Sequence, residues 1–135
     1  LHVRRGTEVE LTIDIDLPAV PNWAQFVPRL ARVDVIAGPI TGPVSDKDVF
    51  TAPQTKVVKS YEVAADRGKV SFTYGFGAVD QPFYVRVRGT DGKRSAAGYL
   101  GPAVDANGPA MDVLGNADPW NDLWFYANPI FVLPL

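Results

Sequence analysis

Between Glu8 and Leu17 the chain alternates without a break. Val9, Leu11, Ile13, Ile15 and Leu17 are interleaved with Glu8, Glu10, Thr12, Asp14 and Asp16. Successive side chains leave opposite faces of an extended strand, so a period of two sends one row to a core and the other to water. A helix of this sequence would scatter the apolar residues around its axis. This one segment therefore commits the chain to a sheet with one buried face. Twelve Gly and twelve Pro, spread along 135 residues, cut the remainder into short pieces. Both residues are poor in helix interiors and favoured in the turns between strands.

The pattern recurs down the chain. Arg32 to Ala37 opposes Val33, Val35 and Ala37 to Arg32, Asp34 and the apolar Ile36. Lys56 to Ala64 is rich in Val and Tyr but mixes its faces. Asp66-Arg67-Gly68 reads as a turn, followed by a strand over Lys69 to Tyr74 with Val70, Phe72 and Tyr74 on one side. Gly75-Phe76-Gly77 is too short for a dinucleotide fingerprint and reads as a turn or bulge. Pro82 to Gly89 has Phe83, Val85 and Val87 inward and Tyr84, Arg86 and Arg88 outward, with Pro82 tolerated as an opener. Asp91-Gly92 suits a tight turn. A last strand is expected over Trp124 to Leu133, interrupted by Asn128-Pro129. The stretches Gly38 to Pro53 and Gly98 to Pro119 read as long loops, and Pro18 to Pro28, holding Trp23 and Phe26, as one helical turn. Together these predict an all-β single domain over residues 1–135, an antiparallel, immunoglobulin-like β-sandwich of about seven strands with two long loops.

Composition bears on chemistry. The chain has no Cys and a single His, His2, at a terminus, where order tends to be poor. A hydrolytic metal centre needs several ligands converging on one point, and nucleophilic catalysis usually needs a His beside a Ser or Cys. Neither can be assembled, so no catalytic, cofactor-binding or metal-ligating residue is assigned. Ser45, Ser60, Ser71 and Ser95 lack a nucleophile-elbow context. Asp14 and Asp16 are read as a solvated strand face, opposite Arg86 and Arg88 as cross-strand ion pairs. Asp105, Asn107 and Asp112, and likewise Asp46 and Asp48, lack calcium-loop spacing and read as loop solvation. A net charge of −2 leaves no basic footprint for nucleic acid or an anionic membrane. No apolar run approaches a membrane span, and no signal peptide opens the chain. It begins at Leu1 and reads as an excised piece.

The aromatic residues remain. Trp23, Trp120 and Trp124, with Tyr84, Tyr99 and Tyr126, offer either a stacking platform for a polysaccharide or anchors buried in the core or against an adjoining domain; the second is favoured.

Four segments occur in order: Val33-Asp34-Val35-Ile36-Ala37-Gly38, Thr55-Lys56-Val57-Val58-Lys59, Phe83 to Gly89, and Asp122 to Val132 with its Trp-x-Tyr-x-Asn-Pro-Ile-x-Val string. Together, across Arg32 to Val132, they resemble the C-terminal region of bacterial PHP-type metal-dependent phosphoesterases, particularly exported ones. The resemblance implies a bacterial protein, secreted or periplasmic, whose catalytic barrel is a separate domain binding divalent metal ions through several His and acidic residues. None of those motifs, the His-x-His signature included, falls on this sequence. The implied role is a non-catalytic accessory domain whose partner is the catalytic domain in cis. Trp120, Trp124, Tyr126, Asn128 and Pro129 are the candidate interface or ligand contacts.

Overall fold

The computed structural model describes residues 1–22, 25, 27–49, 52–91 and 123–135. Among these there is no helix; the regular elements are all strands. They are β1 (His2–Val3), β2 (Thr7–Asp16), β3 (Arg32–Pro39), β4 (Lys56–Glu62), β5 (Lys69–Val79), β6 (Phe83–Thr90), β7 (Trp124–Tyr126) and β8 (Ile130–Pro134). One sheet runs β1-β8-β6-β3-β4, with β7 sharing the β8 edge of β6; β2 and β5 form a second sheet. Over the described residues the prediction of an all-β chain holds. The purely antiparallel sheet does not, because β1 runs parallel to β8. His2 accordingly sits in a strand, opposite Leu133, rather than at a loose end.

The sheets meet where the alternating rows require. Ile13 of β2 packs with Val33 and Val35 of β3 and Val85 and Val87 of β6. Leu11, Ile15, Phe72, Tyr74 and Phe76 flank them, while Glu8, Glu10, Thr12, Asp14 and Asp16 face outward. Burying such aliphatic side chains stabilises by roughly 1.5–3 kcal/mol each. Tyr61 of β4 stacks on Phe72 of β5 at 4.7 Å, and its hydroxyl donates to the Thr73 carbonyl at 2.5 Å. Those contacts set β5 on the β4 side of the core and leave β2 on the β7–β8 side. β5 runs on beyond Tyr74 to Val79 through a bulge: Glu10 pairs with Gly75 and Val9 with Gly77, leaving Phe76 as the extra residue. Gly77 takes the positive φ, 71°, that a β-carbon would disfavour.

Several expectations are corrected here. Arg32, Asp34 and Arg88 do not face water but are buried, and so is Ile36 beside them. Asp14 and Asp16 do not face Arg86 and Arg88, which lie in the other sheet; their cross-strand partners are Ser71 and Lys69. Asp16 and Lys69 are 3.3 Å apart but exposed, a pair worth at most about 1 kcal/mol. The described residues of 18–28 show no helical turn; Trp23 and Phe26 lie outside the described residues. So do Gly92, Ser95, Tyr99, Asp105, Asn107, Asp112, Trp120 and the stretch Gly98 to Pro119. Asp46 and Asp48 are exposed as expected, and the Asp46 carboxylate accepts the Asp48 amide at 2.9 Å.

Candidate functional site

The predicted interruption at Asn128-Pro129 is present and sets up the surface of interest. The register puts Trp124 opposite Thr90 and Tyr126 opposite Arg88. The Ala127 amide still donates to the Val87 carbonyl, at 2.8 Å. Pro129 has no N–H to continue the ladder, so the chain steps off β6 and rejoins it as β8, where Phe131 pairs with Tyr84. β7 and β8 thus follow one another along a single edge of β6.

Alternation decides which side chains share the outer face. From β6 these are Tyr84, Arg86, Arg88 and Thr90; from β3, Arg32, Asp34 and Ile36; from β7, Trp124 and Tyr126; from β8, Phe131. They form a ladder of cations and rings. The Arg88 guanidinium lies 4.9 Å from the Trp124 ring centre and that of Arg32 5.8 Å from it, while Arg86 lies 5.6 Å from the Tyr126 ring. Trp124 and Tyr126 stack at 6.4 Å with 19° between planes, and Tyr84 meets Phe131 at 6.4 Å. Each cation–ring contact contributes about 0.5–1 kcal/mol when exposed and about 2 when desolvated. Arg86 also donates through Nε to the Ala127 carbonyl at 3.3 Å, tying the step after β7 to β6.

Beneath the rings, Asp34 organises the charges. Its cross-strand neighbours are Arg88 on one side and Ser60 on the other. Arg88 Nε donates to one carboxylate oxygen at 2.8 Å, and the Ser60 hydroxyl donates to the other at 2.7 Å. Arg32, two residues earlier on the same face, brings its Nε to 3.0 Å. All three charged side chains are 3% exposed or less. Buried ions are tolerated only with such partners, so the cluster fixes the face on which the rings stand.

Of the residues singled out from sequence, Trp124 is half-buried in this ladder. Tyr126, Asn128 and Pro129 are exposed, and Trp120 lies outside the described residues. Phe131, 51% exposed on the same face as Tyr126 at 48%, is a member the sequence did not indicate. Nor did it indicate Arg32, Asp34 and Arg88 as supports, since an Arg/Asp row reads as a wetted face until the sheet's pairing is known. Among the described residues no three His, Cys, Asp or Glu converge as metal ligands, and no helix is long and apolar enough to cross a membrane. What the arrangement can do is present two exposed rings on a sheet face to another surface. The chain matches no family model, and neither curated proteins nor solved structures include a match to it.

Proposed function

We propose that this chain is a non-catalytic, immunoglobulin-like accessory domain that docks through its β7–β8 face onto the catalytic domain of a PHP-type metal-dependent phosphoesterase, shaping access to that active site. The observation that carries the docking is that Tyr126 and Phe131 are both exposed on one sheet face, Tyr126 against the Arg86 guanidinium and Phe131 against the Tyr84 ring. Rigid aromatic residues make efficient anchors because little side-chain entropy is lost when they are covered. Asn128 and Pro129, exposed at the step between the strands, lie at the rim of such a contact. The identity of the partner rests on the resemblance of the four strand segments, and the divalent ions belong to that partner.

The stacked Trp124 and Tyr126 rings support a second reading, a polysaccharide platform. The guanidinium groups over Trp124 weigh against it, because they occupy ring surface that a sugar would need.

The test is the double variant Tyr126→Asp, Phe131→Asp in a polypeptide carrying both this chain and the catalytic domain. Docking predicts a lowered melting temperature of the catalytic domain and altered turnover, with the isolated 135-residue chain equally stable in both versions. Unchanged melting and turnover would end the reading. Tryptophan fluorescence that moves on titration with oligosaccharides, and is abolished by Tyr126→Ala, would favour the platform instead.

A further inference from the structure

Among the described residues the outer edge of β2 is unpaired, on the side where inward-facing apolar residues stay partly exposed. Leu17 N–H donates to the Gly68 carbonyl at 2.8 Å, and the register continues as Asp16↔Lys69, Ile15↔Val70. In an antiparallel pair, hydrogen-bonded and non-hydrogen-bonded positions alternate. Ile15, Ile13 and Leu11 therefore bond to β5, while the backbone groups of Asp16, Asp14 and Thr12 point away from it. Thr73, the partner of Thr12, has the same phase: its carbonyl also points away from the pair and accepts the Tyr61 hydroxyl. Tyr61 of β4 thus occupies one backbone acceptor on that edge of β5. Among the described residues no strand pairs with the other edge, that of β2.

The two layers are also unequal. Five strands abreast span about 19 Å between outer axes and two span about 5 Å, so the smaller sheet covers only part of the larger. The uncovered part falls on the β2 side. Phe125 and Ile130 point to the inner face of the large sheet, yet they are 39% and 44% exposed. A cleft of about 240 Å³, lined by Ile15, Leu17, Leu30 and Phe125, opens where β2 ends against β7. Backbone donors and acceptors in a row next to unburied inward side chains are the two features that accept an added strand.

The outer row of β2 fixes the chemistry of that strand. Glu8, Glu10, Asp14 and Asp16 face Ala78, Gly75, Ser71 and Lys69 across the pair, so one cation answers four carboxylates there. Side chains directly opposite on a new neighbour would lie about 4.5–5.5 Å away, where like charges repel and opposite charges attract. We infer that β2 accepts, by strand addition, an extended segment of a partner protein that alternates apolar with Lys or Arg residues. The apolar row covers Phe125 and Ile130, and the basic row faces the β2 carboxylates. This surface is distinct from the outward Tyr126–Phe131 face, so either reading can fail alone.

The probe is a capped ten-residue peptide alternating lysine and valine, with a glutamate/valine peptide as control, added to the isotope-labelled chain. Binding is expected to protect the Thr12 and Asp14 amides from exchange at least tenfold. Thr12→Pro removes a donor that the β2–β5 ladder does not use and should weaken binding at least tenfold. Asp14→Lys leaves the backbone intact and should weaken the lysine peptide at least fivefold while admitting the glutamate peptide. No protection at millimolar peptide, or equal binding by wild type and both variants, would overturn the inference. Concentration-dependent protection of the same amides without peptide would also overturn it, assigning the edge to a second copy of the chain.

Discussion

Asp34→Asn tests the most consequential feature of the outer face. The substitution preserves shape but removes the charge on which Arg32 and Arg88 converge, and it sets an amide N–H₂ among their N–H donors. Removing one partner from a buried, hydrogen-bonded charge cluster costs about 3–5 kcal/mol, far more than the net worth of the cluster against an apolar alternative. At about 2.1 cal/mol/K per residue, a chain of 135 residues unfolds with an entropy near 0.28 kcal/mol/K. The expected fall in Tm is therefore about 11–18 °C. Calorimetry reads this directly, and urea titration should show a lowered midpoint with an unchanged slope. Arg88→Met should cost less, because Asp34 keeps Arg32 and Ser60. Replacing the trio together (Arg32→Met, Asp34→Leu, Arg88→Met) should recover most of the loss. A shift below about 3 °C for Asp34→Asn would show that the carboxylate does not hold this face together, and the reasoning would fall.

Two further predictions concern single contacts. Gly89 lies under Phe125, and a β-carbon there would collide with the Phe125 ring and meet Leu30 at 2.9 Å; Gly89→Ala should cost about 1–3 kcal/mol by urea titration, and Phe125→Ala in the same chain should restore part of it. The Tyr61 hydroxyl is held above its ordinary value of 10.0, first by burial and then by the Tyr74 hydroxyl. A raised value favours the neutral form in the folded state, so that stability is fully present below pH 10 and is lost as pH rises through the folded-state value. Absorbance titration should show a late-ionising phase that Tyr61→Phe abolishes; an unchanged titration would refute the assignment.

Much of the site's framework was legible locally. The inward row of β2 and the buried Val33, Val35, Val85 and Val87 follow from period two. The bulge at Gly75-Phe76-Gly77 and the break at Asn128-Pro129 follow from what Gly permits and Pro forbids. The pairings across the outer face were not legible. Phe131 opposite Tyr84, and Asp34 between Arg88 and Ser60, are relations between strands far apart in the chain.

The amino-acid sequence alone determined that this protein is built of strands, where most of them lie, and which side of each is apolar, because alternation and turn chemistry act over a few residues. Only the tertiary structure decided that an Arg/Asp row is buried, that β1 runs parallel to β8, and that Phe125 and Ile130 stay exposed on an inward face. The physical reason is that burial depends on which strand lies opposite. Pairing partners are chosen by packing and hydrogen bonding across the whole sheet, and no short stretch of chain encodes that choice.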